Sequence, residues 1–123
     1  MAELAITLPF LLLLVLGATD LGRLFFAQVT LNGAAHNGGI YASSSPSAAT
    51  NTTAIRSAAL ADTTTLVDIS PSNPNVVSST GTDPYGFQTV VVTVTYAFRA
   101  VVPYPGLPES ITMTRSVQMR VKP

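Results

Sequence analysis

Ala5-Ile6-Thr7-Leu8-Pro9-Phe10-Leu11-Leu12-Leu13-Leu14-Val15-Leu16-Gly17-Ala18 decides the fold of this chain, and Thr7 is its only polar side chain. Glu3 stands just before it. Asp20 and Arg23 follow, then Leu24-Phe25-Phe26, and the next formal charge is Arg56. A helix this apolar is not stable alone in water. It needs a bilayer around it, or many copies of itself.

Working outward, residues 4–29 supply the roughly 20 apolar residues that a hydrocarbon core requires, provided Asp20 and Arg23 are tolerated. At i, i+3 that pair lies on one helical face and can neutralise itself, or it can bridge between subunits. Pro9 removes one N–H donor near the helix start and can kink it there. A secretory signal peptide does not fit: no basic region precedes the apolar run, and the helical pattern continues through Arg23-Leu24-Phe25-Phe26-Ala27-Gln28 without a small-residue cleavage site. A plain single-pass anchor explains the apolar run but not Glu3. The uncharged pattern continues through Ala34 and Ala35, so a helix from Glu3 to Tyr41 would be about 55–60 Å long, and about half of it would stand outside a membrane. Gly17 and Gly22 read as close-packing positions, as in Ala18-x-x-x-Gly22 and Ala34-x-x-x-Gly38, whereas Gly38-Gly39 read as a weakening of the helix end.

Ser43-Ser44-Ser45-Pro46 is a break, and Ser47 is placed to cap a short second helix over 47–61, weakened by Asn51-Thr52-Thr53. The period then changes. A short strand is expected over 64–69, with loops at 70–75 and 78–84. The clearest strand covers 87–100. Val90, Val92, Val94, Tyr96 and Phe98 lie on one face; Thr89, Thr93, Thr95 and Arg99 lie on the other. A Pro-rich connection follows, then a last strand over 110–122 with Ile111, Met113, Val117, Met119 and Val121 on one side. Arg115 interrupts that face and should lie at an edge or find a carboxylate. Three strands with one apolar face need a cover, which the second helix or the distal part of the first can supply. The expected class is α+β: a long hydrophobic N-terminal helix over 1–42, then a small head over 43–123 with a short helix and an antiparallel sheet.

Composition narrows the chemistry. The chain has 123 residues, six Lys and Arg against six Asp and Glu, and no cysteine. Its mean hydropathy is +0.42. The balanced charge favours neither nucleic acid nor an anionic surface, and the absence of cysteine removes disulfides, thiolate nucleophiles and zinc–cysteine sites. His36, beside Asn37, has no nearby acid in sequence and reads as a polar helix-end residue. Asp62, Asp68 and Asp83 read as caps or turn residues, and no metal or cofactor motif is found. An enzyme is not expected.

The strings at residues 2–13 and 17–26, an acid, an apolar run with Pro9, then Asp20-Leu21-Gly22-Arg23, resemble the N-terminus of TadE-like pseudopilins. These are small proteins of the Tad (tight adherence) branch of type IV pilus machinery. The likeness continues weakly through residues 32–42, through Val94-Thr95-Tyr96-Ala97-Phe98-Arg99, and at Met119-Arg120-Val121. The resemblance implies a pilin-like subunit. A prepilin peptidase would trim a short basic leader, the helix would rest in the bacterial inner membrane, and an assembly ATPase and inner-membrane platform would extract it into an extracellular filament. The family's acid falls on Glu3. It stands at the third position rather than the fifth and no leader precedes it, so the chain reads as processed or as differently started.

A carboxylate at an apolar helix tip is expensive to bury alone. In a stack of helices Glu3 can pair with a neighbour's N-terminal amine and set axial register, or it can serve its own helix dipole. The assembly residues expected are therefore Glu3, Pro9, Asp20 and Arg23, with Phe10, Leu13, Gly17, Ala18, Gly22, Phe25 and Phe26 as helix-packing positions. The leading function is a structural subunit of a type IV pilus-like filament, polymerising with copies of itself. The rivals are a minor TadE-like pseudopilin that primes or caps a pilus, and a membrane-anchored binding module.

Overall fold

The computed structural model describes residues 1–64, 66, 74–99 and 110–123. One helix, α1 (Ala2–Ala42), dominates it and is about 60 Å long. It runs through Pro9 without interruption, although Pro9 cannot donate to the Ala5 carbonyl. Two short helices follow, α2 (Pro46–Thr50) and α3 (Thr52–Leu60). Then come three strands, β1 (Asn75–Thr82), β2 (Gln88–Arg99) and β3 (Ser110–Arg120). The class is α+β, and the strands form an antiparallel meander in the order β1-β2-β3.

The sheet's inner face is the one its alternation predicts. Val90, Val92, Val94, Tyr96 and Phe98 of β2 are all buried. They pair across to Met119, Val117, Arg115, Met113 and Ile111 of β3. The distal half of α1 lies over this face and contributes Ala27, Leu31, Ala34, Ala35 and Ala42 to the core, while α3 adds Ile55 and Ala59. Small residues on α1 let the backbone come close to the sheet. The outer face is polar, and Thr93 and Ser116, a cross-strand pair, share a 2.9 Å hydroxyl–hydroxyl hydrogen bond. Arg115 sits half-buried on β3, an edge strand, and its guanidinium donates to the Thr114 carbonyl at 3.3 Å.

Three expectations are corrected here. The single helix over 47–61 is two helices. Asn51 ends α2 and caps α3, its side-chain oxygen accepting from the Ala54 N–H at 3.1 Å. The α2 cap is Ser45 rather than Ser47, with Pro46 in the first turn where its missing N–H costs nothing.

Second, residues 78–82, read as loop, form most of β1, because the meander supplies them with partners: Ser78 with Val92, Ser79 with Val91, Thr80 with Val90, Gly81 with Thr89 and Thr82 with Gln88. Ser, Thr and Gly carry little strand signal alone, and the ladder with a Val-rich neighbour overrides that. The strand expected over 64–69 lies outside the described residues except for Thr64, in a turn, and Leu66, buried at a bend.

Third, Gly38-Gly39 do not weaken the helix. A Cβ on Gly38 would stand 3.0 Å from Val92 Cγ1 and 3.2 Å from Ala59 Cβ, and one on Gly39 would stand 3.2 Å from Met119 and Val117. These glycines are where the helix touches the sheet.

Candidate functional site

The two halves of α1 meet different surroundings. From Asp20 onward one face of the helix is buried under its own head; before Asp20, among the described residues, the helix is exposed except at the half-buried Gly17. Ten large apolar residues between Leu4 and Leu16 stand exposed, Phe10 and Leu13 among them. Even half-exposed, they leave on the order of 10 kcal/mol of unrealised apolar burial, comparable to the whole stability of a small domain. By length and composition α1 is able to cross a membrane. The core helix of a soluble protein would hide its most apolar stretch, and this helix exposes it.

Hydroxyl chemistry in this half is self-contained. Thr7 donates to the Glu3 carbonyl at 2.7 Å, and Thr19 to the Val15 carbonyl at 2.9 Å. Each hydroxyl thus satisfies itself one turn back and presents only its methyl outward. Glu3 lies in the first turn of α1, where the helix dipole favours an anion.

The junction between bare and covered helix is marked by charge. Arg23 Nη1 lies 3.4 Å from Asp20 Oδ1, so the pair forms within one helix, one of the two arrangements expected. Asp20 is buried, the only charged residue so placed among those described. The Arg23 guanidinium also lies over the Phe98 ring, 5.3 Å from its centroid, which ties the stalk to the lower end of β2. At the far end, Lys122 N–H donates to the Ser43 carbonyl at 2.8 Å, joining the chain after β3 to the end of α1. Between them, Asn37 Nδ2 donates to Asp62 Oδ2 at 2.9 Å, tying α1 to the turn after α3. The head is therefore fastened along the upper helix.

Of the expected packing positions, Phe10, Leu13, Ala18, Gly22, Phe25 and Phe26 are exposed and Gly17 is half-buried. A Cβ on Gly22 would meet nothing within 4 Å. The six exposed positions meet the condition for contact with lipid or another subunit. His36 is exposed on α1.

Sequence reasoning missed a second cluster, at the opposite end of the head. The β1–β2 turn runs through Asp83-Pro84-Tyr85-Gly86-Phe87, with Gly86 at φ 88°, a conformation only glycine adopts without cost. Asp83 accepts from the Tyr85 and Phe87 N–H groups, each at 2.9 Å. Its other oxygen lies 2.7 Å from Arg120 Nε. The Arg120 guanidinium covers the Phe87 ring at 4.7 Å and the Tyr85 ring at 5.7 Å. Desolvation pushes the Asp83 carboxyl up. The Phe87 and Tyr85 amides and the Arg120 charge outweigh that together and hold it below its ordinary range. The Asp-Pro-x-Gly signal for this turn was legible in the sequence; the Arg120 partner, 37 positions away, was not.

Residues 1–39 match the family model described as TadE-like protein. The match covers α1 almost to its end and none of the sheet. No curated protein and no solved structure matches the chain.

Proposed function

We propose that this chain is a pilin-like structural subunit of a Tad-type filament, held in the bacterial inner membrane by the lower half of α1 and polymerising through that same half once extracted. The observation that carries this reading is one continuous helix with a covered upper half and a bare, apolar lower half. The TadE-like match over that helix adds the Tad machinery as its setting. In the membrane, lipid covers the lower helix; in the filament, neighbouring copies do, and apolar burial drives the exchange. Head-to-tail contacts between identical subunits generate an open helix. The role is structural and not catalytic. The partners are copies of itself, with a prepilin peptidase, an assembly ATPase and an inner-membrane platform serving its maturation and extraction.

A second reading is a minor TadE-like pseudopilin that primes or caps a filament built from another subunit. What favours it is that the matching model is named for TadE-like proteins. Electron microscopy of sheared extracellular filaments, with mass spectrometry of their main protein and its N-terminus, separates the two. Filaments dominated by this chain support the major subunit. Filaments in which it is scarce, with the chain retained in the membrane, overturn that in favour of the minor one.

A further inference from the structure

The apolar surface of α1 ends at different heights on its two sides. On the side facing the head it ends at Asp20, where the charge pair and the sheet begin. On the opposite side it continues through Leu21, Phe25, Phe26 and Val29, which are 54%, 60%, 52% and 70% exposed. From Asn32 this outward face carries Asn32, Gly33 and His36 at helical spacing, before Ile40, also exposed, near the end of the helix. The head-side run, residues 4–19, is about 24 Å long, shorter than the roughly 30 Å hydrocarbon core. The outward run, residues 4–29, is about 39 Å long and exceeds it.

We propose that, in the membrane-bound state, α1 leaves the bilayer at a tilt with Leu21, Phe25 and Phe26 turned down into the interfacial layer and the head carried on the upper side. This rests on the membrane reading above. The tilt answers the offset at the upper boundary, because a tilted helix leaves a flat layer later along its underside than along its upper side. Across a helix 10–12 Å wide, the offset between Asp20 and Phe25–Phe26 is about 8 Å along the axis, which asks for roughly 35–40°, near the upper end of the range for spanning helices. An amphipathic helix segment with Phe and Leu on one face belongs in the headgroup–acyl boundary. Continuity with the bare stalk selects lipid as the occupant of this face before assembly, since Leu21 and Phe25 extend the stalk's own exposed surface. The turn to Asn32 and His36 sets where water begins.

Because the chain has no cysteine, single-cysteine variants of the full chain report position cleanly. Leu12→Cys, Phe25→Cys and His36→Cys carry an environment-sensitive fluorophore in phosphatidylcholine–phosphatidylglycerol vesicles, with quenching read from brominated lipid tails and from aqueous iodide. The inference expects the Phe25 label to be blue-shifted and quenched by lipid, like that at position 12, and the His36 label to be quenched by iodide. A Phe25 label that behaves like the His36 label overturns it. So does one shielded from both quenchers in a manner that depends on protein-to-lipid ratio, which assigns the face to a second copy. A label at position 12 reached by iodide sinks the membrane reading itself, and this inference with it.

Discussion

Asp83 gathers more interactions than any other acid described in the head: two backbone N–H groups and the Arg120 guanidinium. Because its carboxyl is held below the ordinary range, the unfolded chain binds the proton more tightly than the folded one. Its contribution is therefore complete above the unfolded value of about 4 and is lost as pH falls through the lower folded value. Thermal melts in detergent from neutral pH downward should show the wild-type midpoint falling in that acidic window. Asp83→Asn should melt lower at neutral pH and lose that part of the pH dependence. A variant with an unchanged acid slope would remove Asp83 from the account. Glu3 acts at the same scale on a different property. It touches no part of the head's core, so Glu3→Ala should leave membrane insertion and head melting intact while filament yield falls. Normal yield from that variant would end the register role.

At the scale of elements, the two glycine groups of α1 are opposites. Gly38 faces Val92 and Ala59 at contact distance, whereas Gly33 faces open space. Gly38→Leu should destabilise the head by about 1–3 kcal/mol or more through overpacking. Gly33→Ala should stabilise it by up to about 1 kcal/mol through helix propensity alone. Equilibrium unfolding of both variants checks the pair; equal shifts would mean that α1 does not pack on the sheet through Gly38. Sequence alone reads Gly38 as a weak point because a glycine's cost to an isolated helix is local, and its benefit comes from a strand more than fifty positions away. The same reason hid β1. Ser78, Ser79 and Thr80 signal a loop until Val92, Val91 and Val90 stand opposite them.

For the whole molecule, the decisive property is asymmetry along one helix. Among the described residues the head packs on the upper half of α1, and the lower half is left exposed. Gly22 lies just past the junction with open space around it. Gly22→Leu should therefore leave the head's melting temperature within about 2 °C of wild type, as for a surface substitution, while filament assembly drops. Sheared-filament yield measures the second effect, and unchanged filaments would show that Gly22 faces lipid or solvent in the assembled state.

The apolar stalk, its charge boundary at Asp20 and Arg23, and the alternating strands β2 and β3 were determined by the sequence itself, because hydrocarbon content and period are properties of neighbouring residues. The α+β class followed from them. The split of the second helix at Asn51, the identity of the third strand, the Arg120–Asp83 pair and the docking of α1 through Gly38 and Gly39 were decided only by the tertiary structure. Each depends on groups distant in sequence or on a competition between caps that local propensity does not resolve. Tertiary structure also decided which half of the long helix lies under the head and which half stays exposed among the described residues, because coverage depends on where the sheet comes to rest and not on the helix's own residues.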